Sequence, residues 1–237
     1  MSVAFRFEVD GALTGAENMR RDAALVDEVR ESASGVVRLY AWSPYAVSLG
    51  FNQKSDVIDE SACRALGVDI VRRPTGGRAV LHAEEITYAV ITPLDGRTAQ
   101  EWYALIHQAI GDGVAQLGLS DAAFVKSQPK FAEVYRQSAG AMCFSSSARY
   151  ELEWSGKKFV GSAQRVIGNV LLQHGSILLG PYHARMGELL ALDDERRATM
   201  TQVLHDRAIS IGEILGREVT YDEIVAPLLD SMKHLLS

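Results

Sequence analysis

Apolar residues recur along this chain with two periods, and the switches between them mark out its elements. Two-residue alternation is clearest at Tyr150-Glu-Leu152-Glu-Trp154, where large apolar side chains interleave with Glu151 and Glu153 and predict a half-buried strand. Val36–Tyr40, Ala46–Leu49, Val68–Arg72, Arg78–His82, Ile86–Ile91 and Val170–Leu179 read as further strands, and Ser43-Pro44, Ser155-Gly156 and Gly168-Asn169 as turns between neighbours. Helical spacing takes over at Trp102, Leu105, Ile106, Ala109, Ile110 and Leu117, behind the capping box Thr98-Ala-Gln-Glu101. A second box, Thr14-Gly-Ala-Glu17, opens a helix through about Val29, and a short helix around Ile58–Leu66 carries Cys63 on its packed side.

Past residue 190 the pattern changes. Asp193–Leu204 is polar and helical, Ser210-Ile-Gly-Glu213 caps a short helix ended by Gly216, and Thr220-Tyr-Asp-Glu223 caps a last one. Ile224, Leu228, Leu229, Met232 and Leu235 give that helix an apolar face, and Pro227 inside it is expected to kink it or force a restart. Residues 120–149 show the least regular pattern.

Composition narrows the class. A chain of 237 residues with 47% hydrophobic and 23% charged content suits one sizeable domain with a small appendage. The net charge, 24 − 30 = −6, argues against nucleic acid as a partner. No apolar run reaches a membrane span, and the start lacks the basic and apolar regions of a signal peptide, so the expectation is a cytoplasmic protein with no membrane partner. Two cysteines without an export signal predict no disulfide. The six histidines show no ligand spacing, which gives no metal site.

The chemistry concentrates in Arg72-Arg73-Pro-Thr75-Gly76-Gly77-Arg78-Ala-Val-Leu-His82. Glycines let the backbone approach a ligand and expose N–H donors, and arginines add fixed forked donors, a combination suited to an anionic or strongly polar group. It is neither a phosphate-binding P-loop nor a dinucleotide fingerprint. A tight turn with two solvated arginines explains the same residues equally well.

That stretch resembles the Arg-Arg-x-Ser/Thr-Gly-Gly-x-x-Val/Leu-x-His signature of the lipoate/octanoate protein ligase and transferase family. Gly156-Lys-Lys158-Phe-Val-Gly161-Ser162-Ala163-Gln164 and Gln173-His174-Gly175-Ser176-Ile-Leu resemble two later segments of the family. Asn18-Met19-x-x-Asp22 and Ser48–Gln53 match its opening helix and first strands. The resemblance runs in order over about residues 5–215. It implies an α+β fold with a mixed, largely antiparallel sheet flanked by helices, similar to the biotin/lipoate protein ligase catalytic domain. The expected organisation is a catalytic domain over 1–190 with a helical appendage over 191–237 packed on it.

Within the family, Cys143-Phe144 ahead of Tyr150–Trp154 and Lys158 resembles the cysteine-dependent octanoyltransferases, which move octanoate from an acyl carrier protein thioester to a lysine. Chemistry supports the distinction. A ligase must activate a free carboxylate as an adenylate, whereas a thioester is already activated and a cysteine divides the transfer into two easier exchanges. The resemblance implies Cys143 as nucleophile and Lys158 as the cation that lowers its pKa, stabilises the oxyanion and relays the amine's proton. It implies substrate-binding roles for Arg72, Arg73, Thr75, Gly76, Gly77, Arg78, His82, Gly161, Ser162, Ala163, Gln164, His174 and Gly175. No cofactor is expected. The donor is expected to be octanoyl-acyl carrier protein, and the acceptor a glycine-cleavage H protein or lipoyl domain. A lipoate ligase using ATP and magnesium, an amidotransferase between lipoyl-accepting proteins, and a non-catalytic binder of acylated carriers are the rival readings. Because those partners are acidic, docking calls for local basic patches, with candidates at Arg20-Arg21, Arg72-Arg73-Arg78, Lys126 with Lys130, and Lys157-Lys158-Arg165. Scattered surface cations explain Lys126 and Lys130 equally well.

Overall fold

The first two strands lie side by side and parallel, which obliges the chain between them to cross over. β1 (Phe5–Leu13) leads into helix α1 (Gly15–Ser32), and β2 (Gly35–Trp42) returns beside β1. The computed structural model describes residues 3–119, 123–125 and 151–236. Thr14 caps α1 by accepting from Glu17 N, but the reciprocal half of the expected box is missing, because the Glu17 carboxylate is taken by Arg20 and Arg21. β1 was not among the strands expected from the pattern. Its side chains are mostly half-buried or exposed, as suits a sheet edge.

β3 (Ala46–Leu49), α2 (Glu60–Ala65), β4 (Asp69–Arg72), β5 (Val80–His82), β6 (Glu85–Pro93) and α3 (Ala99–Ala115) follow. β7 (Ala123–Val125), β8 (Glu151–Trp154) and β9 (Lys157–Lys158) form a small antiparallel sheet. β10 (Val160–Ile167) and β11 (Val170–Leu178) form a hairpin closed by Gly168 and Asn169, with Ile167 paired to Val170 and Gly168 at φ 67°. The main sheet has the order β1-β2-β6-β11-β10, antiparallel everywhere except between β1 and β2. A second sheet, β4-β3-β5, holds one parallel and one antiparallel pair. The mixed, largely antiparallel α+β architecture expected from the sequence is what the chain adopts.

The main sheet is buried on both faces. Val36, Tyr40, Ala89, Ile91 and Leu172 pack under α1 through Met19, Leu25, Val26 and Val29. Val37, Leu39, Ile86, Tyr88 and Val90 pack on the opposite side with Trp102, Ile106 and Ile110 of α3. Strands of this kind read as continuous apolar runs, which is why Val36–Tyr40 and Ile86–Ile91 stood out. The second sheet has its own core, joined by Cys63 and by residues of a 3-10 helix at Pro181–Leu189, a segment with no helical period in the sequence.

α4 (Asp194–Arg207), α5 (Ile211–Leu215) and α6 (Tyr221–Leu236) complete the chain. Ser210 and Glu213 form the full capping box expected for α5, and Gly216 ends it in the left-handed conformation. Pro227 forces no restart. α6 runs unbroken through it, with Ile224, Leu228, Met232 and Leu236 buried in the same core as Trp102 and Ile110. A Cβ on Gly113 would lie 3.1 Å from Leu228 Cα and 3.2 Å from Pro227 O, so the glycine sets how closely α3 and α6 pack. Among the described residues no helix is long and apolar enough to cross a membrane.

Candidate active site

The arginine-glycine loop leaves β4 and enters β5, and its arginines hold main chain in place. Arg73 is buried and donates through Nη1 to Ser48 O at 2.8 Å, through Nη2 to Arg78 O, and through Nε and Nη2 to Gly76 O. Among the described residues Arg72 donates through Nη1, to Gly50 O and Gln53 O at 2.7 Å and Phe51 O at 3.2 Å. Gly77 sits at φ 91°, and a Cβ on the facing Gly50 would fall 1.9 Å from Gly77 O. The close approach therefore runs between two chain segments, at Gly50 and Gly77, while a Cβ on Gly76 would meet nothing within 4 Å.

Each motif histidine bridges a hydroxyl and a carboxylate. His174 Nδ1 donates to Asp22 Oδ2 at 2.9 Å, and its Nε2 accepts from Thr75 Oγ1 at 2.6 Å. Burial holds the His174 pKa below the ordinary histidine value against the opposing pull of Asp22, so the neutral Nδ1–H form fits both bonds. Asp22 also accepts from Tyr40 OH and from Arg38, which reaches Asp10 and Asn18 with its remaining nitrogens. Arg38 is fully buried, and these partners compensate its charge. The Asn18–Asp22 match near the start of the chain thus has a physical role: α1 reaches across the sheet to orient His174.

His82 is held in the same way. Its Nδ1 donates to Glu85 Oε1 at 2.8 Å, its Nε2 accepts from Ser48 Oγ at 2.7 Å, and its ring stacks on Trp42 at 4.0 Å and 15°. Ser48 also accepts from Arg73 Nη1 at 3.1 Å, which ties this histidine to the loop.

The two later motifs meet by strand pairing. Gly161 lies opposite Ser176, Ser162 opposite Gly175, Ala163 opposite His174 and Gln164 opposite Gln173. Gly175 is sterically required, since a Cβ there would sit 2.5 Å from Gly161 O and 2.8 Å from both Ser162 Oγ and the Tyr88 ring. Below this pair runs a chain of hydrogen bonds with one direction. Gln173 Nε2 donates to Tyr88 OH at 2.9 Å, Tyr88 to Ser162 Oγ at 2.7 Å, and Ser162 to His107 Nε2 at 3.0 Å. His107 Nδ1 faces the Tyr103 carbonyl at 2.9 Å and must donate there, which leaves Nε2 as the acceptor. Burial pulls the His107 pKa down to about 4 and pushes Tyr88 up to about 12, so both are neutral near pH 7. Gln164 donates to Gln173 Oε1 and to Ala99 O at the start of α3.

A narrow slot with a cavity volume of about 20 Å³ runs between these groups. Of the residues singled out in the sequence, Arg73, His82, Gly161, Ser162, Ala163, His174 and Gly175 line it. Met19, Val80 and Trp42 add apolar wall, and Ser48, Thr87 and Ser176 add hydroxyls. Arg72, Thr75, Gly76, Gly77, Arg78, Gln164 and Lys158 are not part of the lining. A wider cleft of about 630 Å³ shares Trp42 and His82 with the slot but takes in no residue of 72–78 or 161–164. Lys158 is 7% exposed on β9 and its carbonyl accepts from Ile209 N, whereas Lys157 directs Nζ to His205 O at 2.7 Å. Cys143 lies outside the described residues, as do Lys126 and Lys130.

Sequence reasoning passed over Asp22, Ser48, Glu85, Tyr88, His107 and Gln173 as members of this network. Asn18 and Asp22 at helical i, i+4 spacing were a usable signal, and so was Glu85 three residues from His82. His107 offered none, because its ligand is a serine 55 residues away. The expected basic patches also thin out. Arg20 pairs with Glu17, Arg21 with Asp10 and Glu17, and Lys157 with a carbonyl.

Residues 14–233 match the family model described as the lipoyl protein ligase A/B catalytic domain. The chain is 39% identical over 228 residues to octanoyltransferase LipM of Geobacillus kaustophilus, covering 92% of this chain and 81% of that protein. It is 35% identical over 226 residues to octanoyltransferase LipM of Bacillus subtilis, with the same two coverages. Its backbone also superposes on a bipartite lipoate protein ligase from Thermoplasma acidophilum with a TM-score of 0.75, over 99% of this chain and 84% of that one, at 18% identity. At that identity the structural likeness speaks for the fold alone.

Proposed function

Because the chain belongs to the lipoyl protein ligase A/B catalytic-domain family, we propose that it is an acyltransferase that carries octanoyl groups to a lipoyl-accepting protein. The observation that supports this most directly is its identity to octanoyltransferases over more than nine-tenths of its length. The lining of the slot supports the same reading, since an apolar wall of Met19, Val80 and Trp42 ending among hydroxyls and Arg73 suits an aliphatic chain with a polar head, and at about 20 Å³ the slot has to widen to admit that chain.

In the proposed reaction the Cys143 thiolate attacks the carbonyl of an octanoyl-acyl carrier protein thioester. The tetrahedral intermediate expels the carrier thiolate, which takes up a proton, and an acyl-enzyme remains. The neutral amine of the acceptor lysine then attacks that thioester, forms the amide, gives up its proton and releases the Cys143 thiolate. Lys158 is the group assigned to the oxyanion and to that proton, because a buried ammonium acts most strongly where water is excluded. The loop 72–78 and the strand 161–164 bound the acyl site, with His82 and His174 holding the loop against the sheet. The scheme calls for no nucleotide and no metal.

The test is an intact-mass measurement after mixing the protein with octanoyl-acyl carrier protein in the absence of ATP. A hydroxylamine-labile octanoyl adduct that is lost in Cys143→Ala supports the scheme. Transfer that appears only with ATP and free octanoate or lipoate, and persists in Cys143→Ala, would replace it with a ligase mechanism.

A further inference from the structure

Next to the arginine-glycine loop, Phe51 is 47% exposed, one of few large hydrophobic side chains that stand out on the described surface. Two arginines brace this spot. Arg165 lies over the Phe51 ring at 4.1 Å and donates through Nη1 to Pro74 O, while Arg72 donates through Nη1 to the carbonyls of Gly50, Phe51 and Gln53. Neither guanidinium has a carboxylate partner among the described residues, although most other arginine contacts on this surface are with Asp or Glu. In both, Nη1 serves as the anchor, and the edge formed by Nε and Nη2 makes no hydrogen bond among the described residues. That edge is one with which arginine grips a carboxylate in bidentate fashion.

The entropy of ordering these side chains is therefore already lost before a partner arrives. On a body of net charge −6, two guanidinium groups with no carboxylate partner among the described residues, beside an exposed aromatic ring, also give an acidic partner one favourable orientation. The position couples the patch to the chemistry, since Phe51 N donates to Thr75 O and Arg165 sits on β10, three residues from Ser162.

We propose that Phe51, Arg72 and Arg165 form the docking anchor for the acceptor protein, gripping a segment that presents two carboxylates around an apolar side chain. The acceptor fits better than the acyl carrier on chemical grounds. Its reacting group is a lysine, which arrives as a cation at a mouth already bearing guanidinium groups, so acidic neighbours are needed to offset the repulsion. A carrier's thioester is neutral and carries no such requirement. The inference rests on the transfer reading for the identity of the partner, whereas the grip itself is measurable as binding.

The test compares wild type with Arg165→Glu and Phe51→Ser. Binding of the acceptor domain is measured by calorimetry, and acyl-enzyme formation by mass spectrometry with a small octanoyl thioester. The expected result is a loss of acceptor affinity of about tenfold or more in Arg165→Glu and a smaller loss in Phe51→Ser. Acyl loading should stay within about twofold in both, and raised salt should weaken wild-type binding far more than that of Arg165→Glu. Unchanged acceptor binding overturns the proposal. So does a matching loss of acyl loading, which would make the patch structural, or weakened binding of acyl carrier protein with the acceptor unaffected. If wild type fails to load but binds the acceptor through these residues, the transfer scheme falls and the docking surface stands.

Discussion

Thr75 Oγ1 lies 2.6 Å from His174 Nε2, and this contact joins the arginine-glycine loop to the strand that carries the other half of the site. His174 in turn is fixed by Asp22, so helix α1, the loop and β11 are locked through one imidazole. Thr75→Val removes the hydroxyl and leaves a buried ring nitrogen without a donor. A loss of about 1–3 kcal/mol is expected by urea unfolding, together with a loosened loop and reduced acyl transfer. An unchanged midpoint would mean that the bond contributes nothing.

Lys158 and Lys157 are neighbours with opposite settings, one buried and one directed to the His205 carbonyl. Lys158→Ala should reduce octanoyl transfer by about 100-fold or more, in the range seen when an oxyanion or proton-transfer group is removed. Lys157→Ala should cost only a few-fold. Equal losses in steady-state assays of the two variants would remove Lys158 from the mechanism.

Gly175→Ala places a methyl group within 2.5 Å of Gly161 O, in the middle of the β10–β11 hairpin. The strands must separate or the Ser162–Tyr88 bond must break. The expected outcome is a lower Tm and nearly complete loss of transfer, with Tyr88→Phe giving a milder version of both. A Gly175→Ala protein with wild-type Tm would show that the hairpin has room the structure does not display.

His107 carries a pH signature. Its pKa is lowered from 6.5 to about 4 by burial, so below pH 6.5 the unfolded chain binds a proton that the folded one refuses. Stability is therefore fully present above pH 6.5 and falls as pH drops toward 4, with a slope of about 1.4 kcal/mol per pH unit from this group. His174 and His183 are shifted in the same direction by burial, so the informative quantity is the difference between wild type and His107→Gln. Denaturant midpoints from pH 7 to pH 4.5 should fall less steeply in the variant. Parallel curves would contradict the shift.

Cys63 is 1% exposed and its thiol is pushed up to about 11 by burial, with Asp59 and Glu60 adding to the effect. In a Cys143→Ala background the native protein should resist maleimide at pH 7, and one label should appear once the chain is unfolded. Rapid native labelling would show that the core of the second sheet opens readily.

Much of this arrangement was legible in the sequence because it is local. The Thr98–Glu101 and Ser210–Glu213 boxes, the Ser155-Gly156 and Gly168-Asn169 turns and the apolar face of α3 depend on residues within a few positions of one another. What could not be read depends on competition or distance. Glu17 completes no box because Arg20 and Arg21 take its carboxylate. Pro227 breaks no helix because the buried stripe of Ile224, Leu228 and Met232 outweighs one missing N–H. In the site, the family motifs located His82 and His174, while the part that Glu85, Asp22 and Ser48 play in setting their tautomers became visible only in three dimensions.

The bond between Asp22 and His174 spans 152 residues. The first helix must therefore wait for the last strand of the main sheet before the imidazole is oriented. A chain emerging during synthesis has made the residues of the helix and the loop long before β11 exists, and at that stage it has no acyl slot to offer. Contacts so distant in sequence form late and slow the search for the native state. Catalytic competence should accordingly appear in one step near the end of folding, and half-made chains would not divert octanoyl groups from their carrier.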